Sequence, residues 1–158
     1  DAFLYSGQVK NEFGYVPDEF GLYDNLKVWE YMDFFASCYG LSGLVARERC
    51  TKLLEQVKLA GKEEFFVDSL SRGMKQRLCL AQGLLRDSQV LLLDEVTANI
   101  DSYSERAIRD TIQKLQIESH LTIISISHKA EFLEKTNRIF IIKDGAIEKK
   151  TAYVNLSK

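Results

Sequence analysis

The sequence predicts an α/β fold with a largely parallel core sheet and an α-helical subdomain, and three observations carry that expectation. Two apolar runs, Gln89–Leu93 and Leu121–Ile126, flank a helical stretch from Ser102 to Ile117. That strand–helix–strand order is the unit from which parallel sheets are built. Between Val28 and Leu59 the apolar residues recur instead at helical spacing, without strand alternation. Finally, the run Val90-Leu91-Leu92-Leu93 ends in the adjacent carboxylates Asp94 and Glu95. A buried strand delivers such a pair rigidly to the C-terminal edge of a parallel sheet, where ligands collect.

Taken in order, Ala2–Tyr5 and Phe13–Val16 are short strand candidates on either side of a turn at Gly7, and Pro17 ends the second. Val28, Tyr31, Met32, Phe35 and Tyr39 mark one helix face, which Gly40 closes. A second helix fits Leu44–Leu59, with Leu53, Leu54 and Val57 inward and Gly61 as its stop. The third runs from Arg72 to Arg86 behind Ser71 as N-cap, with Met74, Leu78, Ala81 and Leu85 as its apolar face. Lys75 and Arg77 are expected to be solvated charges on that helix. Ser102 with Glu105 reads as a capping box for the next helix, whose inward residues include Ile108 and Ile112. Arg138–Ile142 and Ala146–Lys149 flank Asp144-Gly145, a hairpin signal.

The chain of 158 residues has the length of one domain with a real core. Its 46% hydrophobic and 28% charged residues suit a folded cytosolic protein, and no apolar run approaches the roughly 20 residues of a membrane span. A net charge of −2 leaves no electrostatic footprint for nucleic acid. Cys38, Cys50 and Cys79 form no close pair, so neither a zinc site nor a disulfide framework is indicated. No signal peptide is evident, and a start at Asp1 fits a fragment or an engineered chain.

The acid pair alone is weak evidence, since many buried strands end in a carboxylate. With phosphoryl-transfer chemistry, Asp94 would hold Mg²⁺, usually through water, and Glu95 would orient or deprotonate the attacking water. Three neighbouring motifs decide between these readings. Leu70-Ser71-Arg72-Gly73-Met74 resembles the signature motif of ABC-type ATPases (ATP-binding cassette proteins), with Leu70, Ser71 and Gly73 matching its usual Leu-Ser-Gly-Gly-Gln core. Arg72 and Met74 stand at variable positions. At family spacing come Asp94-Glu95 and then Val96-Thr97-Ala98-Asn99-Ile100-Asp101, which resembles the D-loop. Thr122–His128 is a second apolar strand ending in His, similar to the switch histidine strand. The resemblance covers the chain from about Phe13 onward.

That resemblance implies a P-loop NTPase-like core and ATP and Mg²⁺ as ligands. Asp94 becomes the metal residue, Glu95 the general base, and His128 a contact to the γ-phosphate. Ser71, Arg72, Gly73 and Met74 would face nucleotide held by a second nucleotide-binding domain, and Asp101 would carry dimer communication. Each has a plainer reading: Ser71 as a helix cap, His128 as a half-buried side chain at a strand end, Asp101 as the cap of the following helix. Gly14–Pro17 looks like the approach to the Q-loop, where Asp18, a nucleotide-site residue that could still ligate Mg²⁺, stands in place of the usual Gln and puts fine control of the cycle in doubt. The aromatics of Phe20–Tyr39, Trp29 among them, read either as a docking groove for a transmembrane subunit or as packing of the helical subdomain, and a mixture is expected.

A phosphate-cradling P-loop reads Gly-x-x-x-x-Gly-Lys-Ser/Thr. The chain's one Gly-Lys pair, Gly61-Lys62, precedes Glu63 and has Gln56 where the first Gly belongs. The expectation is therefore a single, N-terminally truncated cassette over residues 1–158, with a helical subdomain at 25–88 and core parts at 1–24 and 89–158. It would be the ATP-binding subunit of an ABC transporter at the inner face of the membrane, inactive in isolation. The alternatives are a non-catalytic interaction or regulatory module and an engineered chimeric cassette. The chimera is suggested because residues up to about Leu93 look like cassettes serving separate membrane subunits and those after it look like exporter cassettes. The missing P-loop strand would lie between the strand before His128 and Arg138–Ile142, leaving unpaired edges and apolar surface unless Ala2–Tyr5 or a partner fills the gap.

Overall fold

A computed structural model of the chain describes residues 13–18, 25–119, 121–128 and 136–152. The chain divides into two compact units, residues 1–126 and 127–158. The expected strand Ala2–Tyr5, the turn at Gly7 and the aromatic Phe20 lie outside the described residues.

The first unit holds a three-stranded parallel sheet in the order β1 (Phe13–Val16), β2 (Val90–Asp94), β3 (Thr122–Ile126). Val16 pairs with Leu93, and Asp94 pairs with Ile126, so β2 is the central strand and its acidic end sits at the C-terminal edge. Val16, Leu91 and Leu93 are fully buried, whereas Phe13, Tyr15, Ile124 and Ile126 remain 40–49% exposed. Alternation along each strand thus puts one set of side chains into the core and leaves the other set partly open. Among the described residues β3 pairs only with β2.

Among the described residues four α-helices belong to this unit: α1 (Val28–Cys38), α2 (Gly43–Gln56), α3 (Arg72–Leu85) and α4 (Ser102–Ser119). In α1 the buried residues are Val28, Tyr31, Met32 and Ala36, while Phe35 and Tyr39 are only half-buried. The inward stripe is therefore narrower than the aromatic spacing suggested. Leu53, Leu54 and Val57 are buried as expected, but α2 ends at Gln56, short of Leu59. Lys58, with φ +58°, turns the chain out of the helix.

Helix α3 is the element that fills the core. Its expected apolar face is only part of what is buried, because every residue from Gln76 to Leu85 is covered. Gly83 allows close passage over β1: a Cβ there would stand 2.7 Å from Val16 Cγ2. Arg77 corrects the expectation of a solvated charge. It is 5% exposed, and its guanidinium donates to the carbonyls of Gly73 (3.3 Å), Val57 (3.2 Å) and Lys58 (2.9 Å). A cation at the C-terminal end of α2 meets carbonyls left without helical partners, which is why a buried arginine is tolerated there. Thr111 Oγ1 of α4 donates to Gln56 O at the same end, 3.1 Å away.

The capping box also needs correction. Asp101, not Ser102, caps α4: its Oδ1 accepts from Ser104 N at 2.9 Å, and its carbonyl accepts from Glu105 N at 2.9 Å. Ser102 is the first helical residue, and an aspartate one position earlier serves the cap equally well.

The second unit, considered by itself, contains the antiparallel pair β4 (Arg138–Lys143) and β5 (Ala146–Ala152). Asp144 and Gly145 join them with φ of +49° and +77°, the backbone that the Asp-Gly signal requires. Phe140, Ile141, Ile142 and Ile147 are exposed.

Candidate functional site

The C-terminal edge of the first sheet gathers three of the candidate residues. β2 ends in half-buried Asp94, and half-buried Glu95 follows at once. Half-buried Asp18 stands just past Pro17 at the corresponding end of neighbouring β1. Glu95 adopts φ +45°, a left-handed backbone that costs a non-glycine residue of order 1 kcal/mol or more. Two hydrogen bonds hold this turn: Glu95 N donates to Ile126 O of β3 at 3.0 Å, and Ala98 N donates to Glu95 O at 2.7 Å. Strain held this firmly directly after an acidic strand end aims the Glu95 side chain differently from a continuing strand.

Tyr15 belongs to this edge, and the motif reading missed it. Its hydroxyl donates to Asp94 Oδ2 at 3.2 Å. Burial first, then the hydrogen bond and the Asp94 charge, push the phenol above its ordinary value of 10.0. The signal was present in the alternation of β1, which places Tyr15 on the face shared with Leu92 and Asp94.

No group of three or more His, Cys, Asp or Glu that could cage a metal occurs among the described residues. Asp94, one carboxylate at an open edge, nonetheless fits Mg²⁺, which keeps several waters and takes one or two carboxylates plus substrate phosphates.

A second group lies at the first turn of α3. Ser71 is the N-cap, its Oγ accepting from Met74 N at 3.3 Å, so the cap role is directly visible. Ser71 and Arg72 are exposed, Met74 is half-buried and Gly73 is buried. Asp101 stands beside Gly73, and the Ser104 backbone and side-chain hydrogen bonds hold its carboxyl below the usual carboxylate value of 3.8. His128 is exposed and belongs to the second unit, two residues beyond the end of β3 along the chain. Of the aromatics in this stretch, Tyr31 is buried, whereas Trp29 and Phe34 are 44% and 42% exposed.

Residues 5–98 match the family model described as "ABC transporter". The chain is 34% identical, over 141 residues, to the linearmycin resistance ATP-binding protein LnrL of Bacillus subtilis. That match takes in 89% of this chain but 45% of the relative, so the chain spans less than half of LnrL. Among solved structures, it resembles the dimeric ATP-binding cassette MJ0796 bound to ADP and Pi, with a TM-score of 0.82. At 24% identity over 96% of this chain and 67% of that one, this likeness concerns the fold. It also resembles cbiO1 of Clostridium perfringens, described as part of the ABC transporter complex cbiONQ. There the TM-score is 0.81 and the identity 25%, over 92% of this chain and 59% of that one.

Proposed function

Because this chain belongs to the ABC transporter family, we propose that it is the catalytic part of an ATP-binding subunit whose ATP hydrolysis drives transport across a membrane. The observation that carries the reading is the Asp94-Glu95 pair at the C-terminal end of the central strand, with Glu95 held in a left-handed turn. The fold shared with a cassette solved with ADP and Pi supports ATP as the nucleotide.

In this reading Asp94 would hold Mg²⁺, which would supply positive charge to offset that of the transferring phosphate. Glu95 accepts a proton from the water that attacks the γ-phosphorus while the bond to ADP breaks. His128 stabilises the transferring phosphoryl group. Asp18 occupies the place of the Q-loop glutamine, shorter and charged. Ser71, Arg72, Gly73 and Met74 face nucleotide held by a second cassette, and Asp101 lies on the dimer-communication turn. The exposed aromatics Trp29 and Phe34 suit a transmembrane subunit, which would keep the protein at the cytoplasmic face of the membrane.

The 158 residues contain no Gly-x-x-x-x-Gly-Lys-Ser/Thr run, so in this reading the phosphate clamp comes from outside these residues. Loss of an oriented clamp removes several kcal/mol of electrostatic stabilisation, on the order of that seen for single catalytic donors or more. The test is ATPase activity of these residues joined to a Walker A-bearing segment and mixed with a cassette that lacks an active Glu. Turnover that disappears with Glu95→Gln supports catalysis by this chain. Turnover that survives Glu95→Gln would make it the non-catalytic docking module that its exposed aromatics also suit.

A further inference from the structure

Gly73 and Ser104 meet at a buried joint between the first turns of α3 and α4. A Cβ placed on Gly73 would overlap the Cβ and Oγ of Ser104 and stand 2.9 Å from Asp101 Oδ2. Ser104 is 2% exposed and Gly73 is buried, so no solvent space can take up the displacement. Backbone conformation does not demand glycine here, because Gly73 is absent from the residues with positive φ and lies within a regular helix. Glycine in that setting costs a helix about 1 kcal/mol relative to alanine. Contact, not dihedral angle, is what keeps the side chain off position 73.

The same joint carries two caps. Ser71 Oγ accepts from Met74 N on one side, and Asp101 Oδ1 accepts from Ser104 N on the other. Both capped turns close onto the single point where Gly73 meets Ser104. A shift of one is therefore transmitted to the other through atoms already in contact, since close-packed interiors transmit displacement and do not absorb it.

We infer that Ser104 is a positioning residue: by filling the space against Gly73 it fixes the turn Ser71–Met74 relative to the Asp101 turn. The inference rests on the proposed function only for its catalytic consequence. The joint itself is a property of this chain, and it gives Gly73 a reason to lack a side chain that involves no nucleotide.

The experiment compares five forms of the chain: unmodified, Gly73→Ala, Ser104→Gly, the double variant and Ser104→Val. Hydrogen exchange at the Met74 and Ser104 amides reports on the two capped turns directly. Gly73→Ala is expected to speed exchange at both by about tenfold, and adding Ser104→Gly is expected to reverse most of that acceleration. Ser104→Val, a change confined to α4, is expected to speed exchange at Met74 on α3. Should Gly73→Ala not fold alone, recovery of folding in the double variant supports the joint equally. Equal effects of Gly73→Ala with and without Ser104→Gly would overturn it. In the complemented ATPase, Ser104→Val should lower kcat, and the double variant should regain turnover that Gly73→Ala loses. Absence of turnover with the unmodified chain would count against the proposed function, while the exchange comparison would still decide the joint.

Discussion

The Tyr15 hydroxyl donates to Asp94 Oδ2 across 3.2 Å, so a side chain of β1 reaches the carboxylate that ends the neighbouring strand β2. Tyr15 is 48% exposed, and a hydrogen bond in that setting contributes less than about 1 kcal/mol to stability. Tyr15→Phe is accordingly expected to leave the urea midpoint nearly unchanged.

The phenol should nevertheless titrate above its ordinary value of 10.0, from burial first and then from the bond and charge of Asp94. A folded-state value above the unfolded one means that the group's stabilising contribution is complete below pH 10 and fades as pH rises through the folded value. Ultraviolet difference titration of the unmodified chain and of Asp94→Asn checks this. The variant should lower the Tyr15 value without fully restoring it, because burial persists. An unchanged titration would mean that Asp94 does not influence the phenol.

Arg77 ties the first turn of α3 to the C-terminal end of α2 through three carbonyls. Arg77→Ala is expected to destabilise the chain by about 3 kcal/mol in urea unfolding, since truncation leaves buried acceptors unpaired. Arg77→Lys should recover only part of that loss, because an ammonium lacks the planar fork that reaches several acceptors. A loss below about 0.5 kcal/mol for the alanine variant would place Arg77 among ordinary surface positions.

Cysteine reactivity separates the core from the surface. Burial pushes the Cys79 thiol up to about 12, whereas Cys38 is exposed. With iodoacetamide at pH 8, mass spectrometry should find Cys38 alkylated in the folded chain and Cys79 protected until denaturant is added. Because the folded value of Cys79 lies above the unfolded value of 9.0, its stabilising contribution is complete below pH 9 and is lost as pH rises toward 12.

Much of this fold is legible along the chain because its signals are local. The strand Phe13–Val16 ends where Pro17 places its end, and Asp144-Gly145 makes the turn that its residues favour. The acidic strand end was equally readable, since four apolar residues followed by two acids admit few other structures. What escaped was set by tertiary contact. Arg77 looks like a surface charge until the end of α2 is brought against it, and helical periodicity cannot see that carbonyls await it. Tyr15 looks like one more β-sheet aromatic until the register of β1 and β2 sets it beside Asp94. The Asp101 cap was visible as an alternative, but Ser102 with Glu105 offered an equally regular pattern one residue later. Gly73 had a motif reason to be glycine, which concealed a packing reason that appears only when α4 is in place.

The most direct test is calorimetric titration of Mg-ATP into the purified Glu95→Gln chain, into a Walker A-bearing cassette, and into the two mixed. The expected result is no saturable heat at millimolar ATP for the chain alone, and binding in the mixture beyond what the Walker A-bearing cassette shows by itself. Saturable binding by the isolated chain would contradict the proposed dependence on a clamp outside these residues, and binding in the mixture no different from that of the cassette by itself would contradict the assignment of this sheet edge to ATP.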